Sequence, residues 1–195
     1  MYSVVTVRDT VRIPPSQFGQ PLQEAALAHL RKSHENVLDR DIGLVIAVLE
    51  VLEIGQGRLM PGDGETYHAV TYQVLVFKPM RGEVIEGNVV EIMDFGAFVR
   101  MGPLDGLCHV SQICDDYITQ DSKTNALLGK ESGRTLQEGD QVRARITSIS
   151  LESGNRSGKI GLTMRQPFLG KIGPDASWVE ADVKAARGES KKEKK

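Results

Sequence analysis

Gly87-Asn-Val-Val-Glu-Ile-Met-Asp-Phe-Gly-Ala-Phe-Val-Arg-Met-Gly-Pro-Leu-Asp-Gly-Leu-Cys-His-Val-Ser111 reads as three short strands joined by two turns. In the first strand Val90 and Ile92 alternate with polar neighbours. Asp94-Phe95-Gly96 interrupts the alternation with a turn. Ala97, Val99 and Met101 then face one way, and Phe98 and Arg100 the other. Gly102-Pro103 and Asp105-Gly106 supply the second turn. Phe95 and Phe98 are an odd number of positions apart, so a regular strand would send them to opposite faces. A turn or bulge at Gly96 would bring both rings to one face, together with Arg100 and, from the third strand, His109. Aromatic rings beside cations on an open strand face suit single-stranded nucleic acid, because each base offers a π-face and each nucleotide a phosphate. The competing reading makes both rings core and His109 a satisfied buried histidine.

The same stretch resembles the RNA-binding OB-type domain named after the largest protein of the small ribosomal subunit. That pattern runs through Gly87 and Val89, then Asp94 to Val99, then Gly106, Leu107, His109 and Ser111. In that family the RNA face uses the residues matching Phe95, Phe98, His109 and a basic residue at Lys159. It often has an aspartate where Ser150 stands here, which removes one polar contact.

The chain has 195 residues, room for one or two small domains. It is 40% hydrophobic and 26% charged, with no apolar run long enough for a transmembrane helix. The N-terminus lacks the basic-then-apolar pattern of a signal peptide. Cys108 and Cys114 are the only cysteines, too few for a structural zinc site and consistent with a reduced, cytoplasmic chain. The net charge is −2, and residues 82–170 hold nine Lys/Arg against twelve Asp/Glu. RNA binding there must come from a local patch and stacking, not from bulk positive charge. The segment from Lys184 to Lys195 carries six Lys/Arg and two Glu; Ala185 to Lys195 reads as a disordered tail whose lysines serve either nonspecific RNA contact or, in the favoured reading, solubility.

The N-terminal half reads as a small α+β domain over residues 1–80. Residues 2–13 are a Val- and Thr-rich strand. A helix is predicted at about 21–34, with Leu22, Ala25, Ala26, His29 and Leu30 at helical spacing. Leu44 to Ile54 is a nearly continuous apolar run; its β-branched content favours a strand over a helix. Tyr67 to Phe77 places His68, Val70, Tyr72, Val74 and Val76 on one strand face. Between these lies Gly55-Gln-Gly57-Arg-Leu59-Met60-Pro61-Gly62-Asp63-Gly64, with four glycines and one proline. It lacks the Gly-Lys-Ser/Thr ending of a phosphate cradle and no helix follows. It is either a long hairpin loop or a projecting tip whose apolar pair, Leu59 and Met60, docks on a partner. Lys78–Gly82 is the junction.

Residues 82–170 read as a five-stranded OB-type barrel. Val142, Ala144 and Ile146 face inward, leaving Arg143 and Arg145 outside. Ile160 and Leu162 do the same on the last strand, with Lys159 and Thr163 outward. The three basic residues either extend a patch from Arg100 or form a solvated face. Ile113 to Leu136 is polar and irregular, a long insertion in which 125–129 suggests one helical turn. Ser153-Gly154-Asn155 is a turn. Residues 171–195 are a C-terminal extension, in which Ile172 to Trp178 packs back on the protein.

Taken together these segments resemble a single family over about residues 1–170. The resemblance runs from Met1-Tyr2, Arg12-Ile13-Pro14-Pro15 and Phe18-Gly19 through the Gly55–Gly64 loop to Lys159–Pro167. The family is that of the E-prime polypeptide of archaeal RNA polymerase, counterpart of the seventh subunit of eukaryotic RNA polymerase II. It implies a truncated ribonucleoprotein-like tip domain that docks on the polymerase core near the clamp through the Gly55–Gly64 loop. It also implies a small helical stalk partner, the F polypeptide of the archaeal enzyme, and a barrel that binds nascent single-stranded RNA. No catalytic role, cofactor, metal or membrane contact is implied. The rival is a free-standing RNA-binding OB protein of translation or RNA decay. An enzyme is disfavoured because nothing assembles a nucleophile with its base, and the adjacent Asp115 and Asp116 diverge rather than share a metal.

Overall fold

The computed structural model describes residues 1–121, 126–151, 158–173, 178–179 and 182. The chain divides into two compact units, one built on Met1–Lys78 and one on Pro79–Ser150 with Gly158–Lys195.

In the first unit the strands are β1 (Tyr2–Ile13), β2 (Leu38–Asp39), β3 (Gly43–Ile54), β4 (Arg58–Leu59) and β5 (Thr66–Phe77), with helix α1 (Leu22–His34) between β1 and β2. The sheet order is β1-β5-β3-β2, with β4 pairing to β5. β5 is central because its alternation is strict: His68, Val70, Tyr72, Val74 and Val76 are all buried. The helix starts after Pro21, has Glu24 in its first turn and Arg31, Lys32 and His34 in its last, in the sense the helix dipole favours. It lays Ala25, Ala26 and Leu30 on Val45, Val48, Val70 and Tyr72. The expected stripe is narrower than its spacing suggested. Leu22 is 42% exposed and His29 is only half-buried, since they flank the line of contact.

β3 is a strand throughout, but only its first half is covered. Leu49 and Leu52 remain 41% and 48% exposed. Three register shifts against β5 cause this. Each bulge inserts a residue, so the positions that pack on the core, buried at Val45 and Val48 and partly buried at Val51 and Ile54, follow a spacing of three instead of two.

The second unit is a barrel of β6 (Val84–Met93), β7 (Gly96–Arg100), β8 (Asp105–His109), β12 (Gln141–Ser150) and β13 (Lys159–Thr163). The insertion supplies β9 (Ile118–Asp121), β10 (Ala126–Gly129) and β11 (Thr135–Gln137), and β14 (Gly170–Ile172) follows the barrel. The order β13-β8-β7-β6-β12 closes on itself through the β12–β13 pairing, and β14 adds to β12. Ala97, Val99, Cys108, Val142, Ala144, Ile146, Ile160 and Leu162 fill the interior.

Four details correct the sequence reading. A bulge between Val89 and Glu91 changes the parity of β6, so Val89 and Ile92 point inward and Val90 does not. Thr163, expected outside, is 4% exposed, with its hydroxyl donating to the Gln112 carbonyl at 3.4 Å. The insertion is no irregular loop but a three-stranded sheet, β11-β10-β9, and 126–129 form a strand where a helical turn was expected. Asp116 anchors it by accepting from the Ser132 N–H and hydroxyl at 2.9 and 2.7 Å and from the Glu131 N–H at 3.1 Å, and these bonds, those of Ser132 foremost, hold its carboxyl down at about 2. Asp115 instead pairs with Arg165, so the two aspartates do diverge. Trp178 is buried against Gly170 with the Arg134 guanidinium over its ring. The expected turn at Ser153-Gly154-Asn155 and the lysine-rich tail lie outside the described residues.

Candidate nucleic-acid interface

The outer face of β7 and β8 is set by their register. Gly96 opposes His109, Phe98 opposes Leu107 and Arg100 opposes Asp105, and residues directly opposite share a face. The alternate pairs, Ala97 with Cys108 and Val99 with Gly106, point into the core. Phe95 precedes the strand, yet its ring meets Phe98 edge-on, with centroids 6.2 Å apart and planes at 89°. Phe95 is 44% exposed and Phe98 is half-buried. One ring is thus a platform and the other its support.

Glycine at 96 is what lets this happen. A Cβ there would run into the Cys108 carbonyl oxygen and the His109 backbone. Close approach of β7 to β8 therefore requires the missing side chain. Gly96→Ala should cost about 1–3 kcal/mol through this overlap. Equilibrium denaturation checks it; a midpoint at the wild-type value would show that the strands can part without penalty.

His109 is exposed. Its Nδ1 accepts from the Ser111 N–H at 3.2 Å and lies 2.9 Å from the Ser111 hydroxyl. That pair fixes the ring plane through Nδ1. Lys159 is exposed, and the residue across the ladder from it is Ser150. β13 runs parallel beside β8, with Gly161 at Leu107, so Lys159 falls on the same outer side as Phe98 and His109.

The arginines differ from expectation. Arg100 is on the aromatic face, but Asp105 holds it with two bonds of 3.0 and 3.2 Å. Arg143 is held by Glu86 at 2.7 and 3.0 Å. Arg145 donates to the Gly82 carbonyl at 2.9 Å. β12 is two strands from β7, and Arg143 opposes Glu86 whereas Phe98 opposes Glu91. At ~4.8 Å per strand and ~3.3 Å per residue, Arg143 is about 10 Å across and about 16 Å along from Phe98. Arg143 and Arg145 therefore do not join the aromatic cluster. Glu91, which the sequence reading passed over, does, directly across from Phe98. Its signal was available only through the bulge.

In the first unit the Gly55–Gly64 loop is a braced projection. β4 hydrogen-bonds to β5 within it, pairing Arg58 with Tyr67 and Leu59 with Thr66. The buried His68 ring bridges the Gly55 carbonyl and the Thr66 hydroxyl, each at 3.1 Å. Gly57 packs so close to that ring that a Cβ would collide with it. Asp63 accepts from the Tyr67 hydroxyl at 2.6 Å and from the Glu65 N–H at 3.1 Å. These bonds lower the Asp63 carboxyl and, chiefly through the same Asp63 bond, raise the Tyr67 phenol. Between these braces Leu59 and Met60 stand out at 70% and 57% exposure, followed by Pro61 and Gly62.

Residues 8–64 match the SHS2 domain found in the N terminus of Rpb7p/Rpc25p/MJ0397, and residues 78–160 match the S1 RNA binding domain. The DNA-directed RNA polymerase subunit Rpo7 of Saccharolobus shibatae is 44% identical over 172 residues, covering 88% of this chain and 96% of that one. The chain belongs to the Rpo7 family. Rpo7 of Sulfolobus acidocaldarius is 42% identical over 95% of this chain and 99% of its own length. RNA polymerase II subunit RPB7 of Glycine max is 27% identical over 91% and 99%. In this Rpo7-family chain the braced loop lies within the SHS2 match, while Phe95, Phe98, His109 and Lys159 all lie within the S1 match. Cys108, also within the S1 match, is buried in the barrel interior, and that burial pushes its thiol up to about 12.

Proposed function

We propose that this chain is the stalk subunit of a DNA-directed RNA polymerase, an accessory chain that guides RNA. The observation that carries this reading is the Phe95–Phe98 platform open on an S1 barrel, joined in one chain to an SHS2 unit with a braced apolar projection. A free-standing RNA-binding protein does not account for the SHS2 unit or for similarity to polymerase subunits over most of the chain.

Nascent single-stranded RNA stacks on Phe95, backed by Phe98, with His109 and Lys159 on the same face to meet ribose and phosphate oxygens. Arg100, Arg143 and Arg145 contribute less than their charge suggests, since each is already bonded within the barrel. Glu91 beside Phe98 weakens phosphate attraction further. The result is loose, sequence-tolerant contact, which suits a transcript that must slide. The tip loop, Gly55 to Gly64 with Leu59 and Met60 foremost, seats on the polymerase core at the clamp, and a small helical polypeptide of the F type completes the stalk.

Affinity purification of the tagged chain from its host, followed by native mass spectrometry, tests the assignment. Recovery with polymerase core subunits and one small helical chain is expected. Recovery alone, in fractions free of polymerase, would overturn it.

A further inference from the structure

The aromatic face has two flanks of different chemistry. β7 lies between β8 and β6. The groups suited to ribose and phosphate oxygens are on the β8 flank: His109 on β8 itself and Lys159 on β13 beyond it. On the β6 flank the register sets Glu91 directly across from Phe98, while Ile92 and Ala97 beside them turn into the core. Residues directly opposite share a face and hold their Cβ atoms ~4.5–5.5 Å apart. The turn Asp94–Phe95 then joins Met93 to Gly96, so Phe95 stands at the tip of the same hairpin. Its ring centroid is 6.2 Å from that of Phe98. A base stacked on Phe95 and overhanging Phe98 therefore brings its edge to the Glu91 side chain.

Glu91 is also free to bond. It is exposed and makes no ion pair or hydrogen bond with another described residue. Other carboxylates on the barrel strands differ: Asp105 is taken by Arg100 and Glu86 by Arg143. An ionised carboxylate only accepts. It repels phosphate, so it suits the base side of a bound strand and not the backbone side. Among the four RNA bases, guanine alone sets two adjacent N–H donors, N1–H and an N2 amino hydrogen, on its Watson–Crick edge. That is the fork a guanidinium presents to a carboxylate. Cytosine and adenine offer an amino donor beside a ring-nitrogen acceptor. The one ring N–H on the same edge of uracil lies between two carbonyl oxygens, which a carboxylate repels.

We propose that Glu91 reads the base stacked on Phe95 and favours guanine through paired hydrogen bonds to its Watson–Crick edge. This rests on the reading of the face as an RNA site and adds a base preference to it. The sugar–phosphate backbone runs on the β8 flank by His109 and Lys159, and the base edge points to β6. The contact stays loose, because one solvent-exposed carboxylate favours guanine at one position and leaves other bases held by stacking.

Fluorescence anisotropy of the full chain with single-stranded RNAs about ten nucleotides long is the test. One strand is uridine throughout; in two others every second uridine is replaced by guanosine or by inosine. Inosine is guanosine without the N2 amino group, so the two stack alike and differ by one donor to Glu91. The guanosine strand should bind the wild type about threefold or more tighter than the inosine strand. In Glu91→Ala that ratio should fall to about one, while the uridine strand binds more tightly because a repelling charge is gone. Glu91 is exposed, so the variant should keep the wild-type thermal midpoint. Equal affinity of the wild type for the guanosine and inosine strands would overturn the proposal. So would a ratio that Glu91→Ala leaves unchanged, the mark of a carboxylate that only repels. If the wild type binds none of the strands, the RNA reading of the face fails and the preference with it.

Discussion

Single-stranded RNA should bind the isolated chain about 30-fold more weakly, or worse, when Phe95 and Phe98 are both replaced by alanine. Base–aromatic stacking contributes about 1–3 kcal/mol per base. Phe95 is the stacking ring, and about 2 kcal/mol, the middle of that range, is ~30-fold in Kd. The two changes are not equivalent. Phe95 is 44% exposed, so its loss removes a stacking surface and little packing. Phe98 is half-buried beneath it, so its loss also frees the orientation of whatever remains. The pair should therefore be non-additive. Fluorescence anisotropy with a short unstructured RNA measures the affinity, and thermal unfolding checks that the barrel persists. Unchanged affinity in a folded double variant would remove the assigned face. Salt gives an independent reading. A single strand loses ~0.7 in log–log slope per phosphate contact. With Arg100 and Arg143 already held by Asp105 and Glu86, about one or two contacts remain, and the slope should stay shallower than about −1.5.

Association with polymerase core should fall at least about 100-fold when Leu59 and Met60 are both changed to aspartate. Burying a large aliphatic side chain is worth about 1.5–3 kcal/mol, so two give about 3–6 kcal/mol, and aspartates would add a desolvation cost. At 70% and 57% exposure neither side chain supports the fold of the free chain. The braces around them, His68 on Gly55 and Asp63 on Tyr67, are untouched. The double variant should thus melt like the wild type and bind RNA like the wild type, while failing to bind core in a pull-down or by interferometry. Wild-type binding to core would mean that the loop is only a long hairpin.

Much of this was legible in the chain. β1 spans Tyr2–Ile13 as its Val/Thr alternation and the Pro14-Pro15 stop require. The helix and the barrel strands follow from period and turn residues. The meeting of Phe95 and Phe98 was inferable because a glycine between two aromatics at odd spacing implies a break in the pleat. The insertion sheet was not legible. Its strands, Ile118–Asp121, Ala126–Gly129 and Thr135–Gln137, are only three or four residues long and, among the described residues, paired only to one another, so no single one carries a periodic signal. The inward turn of Val89 rather than Val90 was also hidden, because a bulge inserts its extra residue where the partner strand demands it, not where composition changes.

By itself the sequence determined the two-unit plan, the S1-type strand pattern and the residue types that face outward, because hydrophobic period and glycine placement are local properties. Whether those residues are available was decided only by the tertiary structure. Arg100, Arg143 and Arg145 look alike as outward cations on alternating strands. Register brings Asp105 to the first and Glu86 to the second, the turn before β6 brings the Gly82 carbonyl to the third, and Lys159 is left opposite a serine. Cross-strand neighbours are distant in the chain, so the charge that the outer face presents is fixed by pairing between strands and not by the count of basic residues.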